Sequence, residues 1–219
     1  AVGAPATWVL SNHDVQRVVT RYGDGELGER RARAAAMLML SLPGSAYVYQ
    51  GEELGLPEVL DLPDELRQDP TFERTHGAEP GRDGCRVPLP WSGAEPAYGF
   101  SPDGASWLPQ PGSWAALSRE AQRRDPSSML SLYRAAIAHR REAIGRGPEL
   151  EWLDLGPQVL AFRRAGGRVV CVTNLSTEAV AIASVGTTLL SSDGPVDAAH
   201  QVGEPTLVAP GTTTWFQTE

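Results

Sequence analysis

Lysine is absent from this 219-residue sequence, and all 19 basic residues are arginine. A Walker A phosphate loop, a Schiff-base lysine and a lysine general base are thereby excluded. Cysteine is scarce as well. Cys85 and Cys171 are too few and too widely spaced for a disulfide framework or a cysteine-rich zinc site, so the expectation is a reducing, cytoplasmic setting. No apolar run approaches the 18 residues of a membrane span, and the start carries no charged-then-apolar leader; a soluble chain with no membrane partner is expected. Positive charge is in deficit: 27 acidic residues against 19 basic give a net charge of −8, the wrong sign for a nucleic-acid partner. What is present, 41% hydrophobic and 7% aromatic residues, is ordinary globular composition, long enough for two domains that each bury a core. The first residue is Ala1 rather than Met, and the opening runs straight into a strand-like segment, so a fragment is expected.

Thr7-Trp8-Val9-Leu10 is a short apolar run that ends in the polar cluster Ser11-Asn12-His13-Asp14, the pattern of a buried strand delivering polar groups at its end. Residues 26–42 place Leu27, Ala34, Met37, Leu38 and Leu42 near helical spacing, with Glu26 and Glu29 in the first turn and Pro43-Gly44 as the stop. Ala46-Tyr47-Val48-Tyr49 then repeats the strand pattern and ends at Gln50-Gly51-Glu52-Glu53. Strand, helix, strand predicts a parallel βαβ unit. Residues 56–126 are dense in Pro, Gly, Asp and Trp without a period, which reads as a functional lid or rim. Residues 127–144 predict an amphipathic helix with Met129, Leu132, Tyr133, Ala136 and Ile137 on one face. From Leu150 onward, short runs at 159–162, 169–173, 179–183 and 213–216 predict a small antiparallel β domain.

Three features could carry chemistry. Asn12-His13-Asp14, with Arg17 three residues on, gathers groups able to hydrogen-bond a polyhydroxylated ligand; the plain alternative is a satisfied turn. Gly81-Arg82-Asp83-Gly84-Cys85-Arg86-Val87-Pro88-Leu89-Pro90-Trp91 joins an Arg that can pair with a carboxylate to an indole that can lie against a sugar ring. Gly23-Asp24-Gly25-Glu26-Leu27-Gly28 matches a dinucleotide fingerprint if residues 18–22 form a strand, which would make the chain an NAD-dependent oxidoreductase; Asp24 and Glu26 crowd negative charge where a pyrophosphate would sit. His76 and His139 have no partner at metal-ligand spacing, so neither a metal nor another cofactor is expected. Asn174-Leu175-Ser176 matches a glycosylation sequon but reads better as the end of a strand.

The run from Val9 to Gly23, containing Asn12-His13-Asp14-Val15-Gln16-Arg17, resembles the α-amylase family (glycoside hydrolase family 13) at its seventh barrel strand. Pro43-Gly44-Ser45-Ala46-Tyr47-Val48-Tyr49-Gln50-Gly51-Glu52-Glu53 resembles the eighth-strand motif, and Gly81 to Trp91 resembles a segment of the α-glucosidase and oligo-1,6-glucosidase branch. The resemblance implies an α/β plus all-β chain: residues 1–146 as the C-terminal portion of a TIM (β/α)₈ barrel, and residues 147–219 as an antiparallel β-sandwich. It implies a retaining α-glucosidase acting on terminal α-glucosidic bonds of malto- or isomalto-oligosaccharides. Asp14 would be the third carboxylate that stabilises the transition state, with His13 and Arg86 binding substrate. Arg17 would act electrostatically behind the site, at a position that binds an anion in some relatives. The nucleophile and the acid/base would lie on a missing N-terminal part of the barrel that this chain requires, leaving the isolated chain inactive. Transfer or isomerase activity, as in trehalose-forming or sucrose-cleaving relatives, is the alternative inside the family. Outside it stands a carbohydrate-binding module resting on the β domain and its Trp residues. Leu89-Pro90 replaces the family's usual Met-Gln before the Trp, which bears on the rim where a leaving sugar would sit.

Overall fold

The structure, a computed structural model, describes residues 5–145, 147–164, 168–183, 185–196 and 205–218; the start of the chain at residues 1–4 and the expected domain boundary at residue 146 lie outside them. Strands β1 (Thr7–Val9) and β2 (Ser45–Tyr47) pair in parallel, with Trp8 opposite Ala46. The chain between them is helical, as α1 (Val18–Arg21) and α2 (Gly25–Ser41), so the strand-helix-strand order is present with the expected parallel pairing. Val9 and Tyr47 are 45% and 65% exposed. Parallel ladders are normally covered on both faces, and these apolar side chains are not.

By internal contacts the chain forms two compact units, one of Ala1–Leu10, Arg30–Tyr47 and Leu132–Glu219, the other of Ser11–Glu29 and Val48–Ser131. In the first unit, α2 departs from the single apolar face that its spacing predicts. Ala32, Arg33, Ala34, Ala36, Met37, Met39 and Leu40 are all buried. Small Ala side chains let neighbours close in, and Arg33 is tolerated there because its Nε donates to the Ser192 carbonyl at 2.8 Å. The helix has no basic residue in its last turn. Arg140 instead donates to the carbonyls of Leu40, Leu42 and Gly44, and Arg164 to that of Ser41. Two guanidinium groups thus satisfy orphan carbonyls at the negative end of the helix dipole.

The β-rich part of this unit is antiparallel, as its patterning predicts. Strands β3 (Leu150–Leu153), β4 (Val159–Arg164), β5 (Val169–Asn174), β7 (Thr187–Ser191) and β9 (Thr213–Gln217) form one sheet in the order β3-β4-β5-β9-β7. Strands β6 (Val180–Ile182) and β8 (Thr206–Val208) pair separately. Val170 and Val172 share a sheet face with Phe216 and pack with Ala161, Ile182 and Val208. On the opposite face, Thr213 shares a hydroxyl hydrogen bond with Thr173 and contacts the Ala34 carbonyl of α2. Burial on both faces explains why β5 reads as a continuous apolar run rather than an alternation. Asn174 closes β5 with its amide donating to the Glu178 and Val208 carbonyls, a buried structural role that leaves no room for a glycan. Of the two tryptophans in this part, Trp215 is wholly buried and Trp152 is 62% exposed.

In the second unit the segment read as irregular makes its own core of Leu54, Leu56, Val59, Leu62, Val87, Leu108 and Trp114. It holds α3 (Pro70–Arg74), α4 (Arg119–Gln122) and short 3-10 turns, and it runs into α5 (Met129–His139), which a π turn at Arg140–Ile144 extends. The dinucleotide reading fails in this unit. Residues 18–21 are helical rather than a strand, and Gly28 serves packing, since a Cβ there would meet the Val19 carbonyl oxygen at 2.1 Å. Asp24, Glu29, Glu58 and Asp61 line the hollow beside that glycine turn, which repels a pyrophosphate.

Phe216→Ala should lower unfolding free energy by about 3–5 kcal/mol through the cavity it leaves. Leu207→Ala, at a position 70% exposed, should stay within about 0.5 kcal/mol. Urea unfolding of the two variants checks the contrast.

Candidate active site

Three residues beyond β1, the Asn12 side chain accepts the Asp14 N–H at 2.8 Å, a local turn that leaves the Asp14 side chain 48% exposed. His13 is more open still, at 67%, with Nε2 3.4 Å from Asp14 Oδ2. Two arginines from a distant loop converge on the same carboxylate. Arg82 Nη1 donates to Asp14 Oδ1 at 2.6 Å, and Arg86 Nη2 to the same oxygen at 3.4 Å while its Nε donates to the His13 carbonyl at 2.9 Å. The 3-10 turn Asp83–Cys85 separates the two arginines by four positions and brings both guanidinium groups to one side.

Behind them lies Asp69, whose carboxylate has no solvent exposure. Its Oδ2 accepts Arg82 Nε at 2.5 Å and the Arg82 N–H at 3.2 Å, and Arg86 Nη1 stands 3.5 Å away. Its Oδ1 accepts the Thr71 N–H, capping α3 ahead of Pro70. Asp83 in turn accepts the N–H groups of Gln68 and Asp69. Hydrogen bonding to Arg82 is the main reason the Asp69 carboxyl is held well below the usual carboxylate range, against the opposing effect of burial. Asp14, Gln16, Glu58, Arg67, Arg82 and Cys85 line a cleft of about 220 Å³ at this cluster. Burial pushes the Cys85 thiol up to about 11, so it supplies no thiolate nucleophile at neutral pH.

Arg17 is turned inward. Its Nη1 and Nη2 donate to the carbonyls of Gln50 and Cys85, both at 2.9 Å, and its guanidinium lies 5.5 Å from the Tyr49 ring and 5.8 Å from the Trp114 ring. Its own N–H donates to Glu58. Desolvation lowers the Arg17 pKa and raises that of Glu58. Arg17 thus ties together the segments around residues 17, 50 and 85. Gly51, at positive φ, donates its N–H to the Glu53 carboxylate, which shapes the turn after β2.

His13, Asp14 and Arg86 therefore lie together, while Arg17 lies beneath them and faces backbone carbonyls. Arg82, Asp69 and Asp83 are the participants that sequence reasoning passed over. Arg82 lies inside the Gly81–Trp91 segment, with the four-residue spacing to Arg86 as its signal. Asp69 showed only an Asp-Pro helix cap. Among the described residues, no group of three or more His, Cys, Asp or Glu side chains is arranged to hold a metal ion.

The chain holds a parallel βαβ unit and an antiparallel sheet, and comparison with known proteins gives its family. The chain belongs to the α-amylase family of glycoside hydrolases: residues 3–147 match the family of the alpha amylase catalytic domain. It is 39% identical over 179 residues to a Rhizobium meliloti (strain 1021) protein named probable alpha-glucosidase, covering 80% of this chain and 32% of that protein. Against the oligo-1,6-glucosidase of Parageobacillus thermoglucosidasius it is 30% identical, covering 76% and 33%. Among solved structures, an alpha-glucosyl transfer enzyme aligns at 34% identity and TM-score 0.74, covering 96% of this chain and 40% of that one. The chain spans about a third of the length of the curated relatives it matches. No helix among the described residues is long and apolar enough to cross a membrane.

A carboxylate whose folded-state pKa is depressed contributes stability that is present above its unfolded-state value, 3.8 for Asp69, and is lost as pH falls below it. Asp69→Asn removes that dependence. Urea midpoints measured from pH 7 downward should fall more steeply in the parent chain than in the variant once the pH drops below about 4; parallel curves would show that the pairing is not formed.

Proposed function

We propose that this chain supplies part of the catalytic apparatus of a retaining α-glucosidase that hydrolyses terminal α-glucosidic bonds of malto- or isomalto-oligosaccharides. One observation carries the reading: in a chain of the α-amylase family, the half-exposed carboxylate of Asp14 is held by two guanidinium groups at the mouth of a cleft. A carboxylate so placed can accept sugar hydroxyls and stabilise the positive charge that develops as the anomeric centre flattens. His13 hydrogen-bonds the same hydroxyls. Arg86 closes the pocket behind the terminal glucose, and Arg17 acts from beneath by fixing the backbone that carries Gln50 and Cys85.

In this reading residues 1–146 are the last two βα units of a (β/α)₈ barrel and residues 147–219 a β-sandwich. The nucleophile and the acid/base come from barrel strands that precede these two, and without them the chain alone has no turnover. Exposed Val9 and Tyr47 on a two-stranded parallel ladder support a barrel completed by further strands. Two free, buried cysteines suit a reducing, cytoplasmic setting.

The likeness to an alpha-glucosyl transfer enzyme favours a second reading, in which a sugar hydroxyl replaces water as the acceptor. The Leu89-Pro90 step before Trp91, which is 51% exposed, is the local feature that would shape an acceptor site. Product analysis on maltose, isomaltose and sucrose separates the two: free glucose for hydrolysis, new glucosides or isomerised disaccharides for transfer.

The deciding experiment joins this chain to the preceding barrel strands and compares Asp14 with Asp14→Asn. The amide is isosteric but cannot stabilise positive charge, so kcat should fall by about 10²–10³-fold with the thermal transition unchanged. Undiminished turnover overturns the proposal.

A further inference from the structure

Asp69 is a fully buried carboxylate that touches no reacting atom, and its placement is over-determined. Thr71 and Arg82 N–H groups hold its two oxygens, Asp83 holds its own N–H, and Pro70 fixes the helix start beside it. Gly81 completes the arrangement. At φ +73° it adopts a conformation that side chains avoid, and a Cβ there would meet Asp69 Cβ at 2.7 Å. The chain thus comes close enough for Arg82 to direct Nε inward to Asp69 at 2.5 Å and Nη1 outward to Asp14 at 2.6 Å. An arginine 40% exposed would otherwise sample many rotamers. Its planar fork, with one edge committed to Asp69, presents the other edge in a fixed direction.

We propose that Asp69 is a positioning residue: its buried carboxylate anchors Arg82 Nε, and Arg82 thereby holds the Asp14 carboxylate at the angle from which it meets the sugar ring. This rests on the α-glucosidase reading of Asp14. Asp69 acts through Arg82 and not on substrate, so it contributes to kcat rather than to ground-state binding.

In the polypeptide that carries this chain together with the preceding barrel strands, Asp69→Asn should lower kcat by about 10²-fold, the scale of a small misplacement, with a much smaller change in KM. The double variant Asp69→Asn/Arg82→Ala should match Arg82→Ala within about twofold, because both remove one linkage. Effects that multiply overturn the inference. If Asp69→Asn shows no cooperative thermal transition, Arg82→Ala decides alone. Guanidinium ion at millimolar concentration, able to bridge two carboxylates, should restore turnover where methylammonium, a single point charge, does not. Restoration by both alike, or by neither, overturns the inference. Asp14→Asn keeps the two claims apart: full turnover in that variant defeats the α-glucosidase reading itself, whereas a dead Asp14→Asn with multiplying Asp69 and Arg82 effects defeats only this one.

Discussion

The site depends on a run of alternating charge: Asp69 within the protein, Arg82 across the boundary, and Asp14 facing the cleft. An ionised carboxylate with no solvent exposure is tolerated only when paired and hydrogen-bonded, and Asp69 has a guanidinium and two backbone N–H groups to satisfy it. That requirement works in both directions. Arg82 keeps Asp69 ionised, and Asp69 keeps Arg82 from relaxing into solvent, which leaves Asp14 with a fixed partner although half of it is open to water. Charge-assisted hydrogen bonds of this kind favour one geometry more strongly than neutral ones.

The surrounding structure keeps this arrangement in place. Arg17, buried and pressed near the Tyr49 and Trp114 rings, joins the segment after Asp14 to the turn after β2 and to the loop bearing Arg82 and Arg86. The core around Leu56, Val87 and Trp114 packs that loop from within. Apart from it, the antiparallel sheet is stabilised by burial on both faces, with Phe216 and Val172 on one and the Thr173–Thr213 pair on the other.

Much of the fold was legible in the sequence because its signals are local. The polar cluster after Trp8-Val9, the helix stopped by Pro43-Gly44, and the valine-rich run of β5 each follow from periodicity and turn chemistry. The wrap-around burial of α2 was not legible, because spacing shows the faces a helix could bury and not how many neighbours approach it. Residues 18–22 leave strand and helix both open in the sequence because a four-residue helix, Val18–Arg21, is too short to display a period. In the site, Asn12-His13-Asp14 and Arg86 stood out as motif residues. Asp69 did not, because its partner is 13 residues away across an irregular loop and only the folded chain shows that its carboxylate is enclosed.

In the proposed function Asp14 braces a glucose ring while Arg82 holds it from behind. The most direct measurement is a crystal structure of the barrel-completed enzyme with a cationic iminosugar analogue of glucose bound. An Asp14 carboxylate oxygen should lie within about 3 Å of the ring hydroxyls, with Arg82 still on its other oxygen. An analogue seated with Asp14 turned away, or with Arg82 detached from it, would contradict the account.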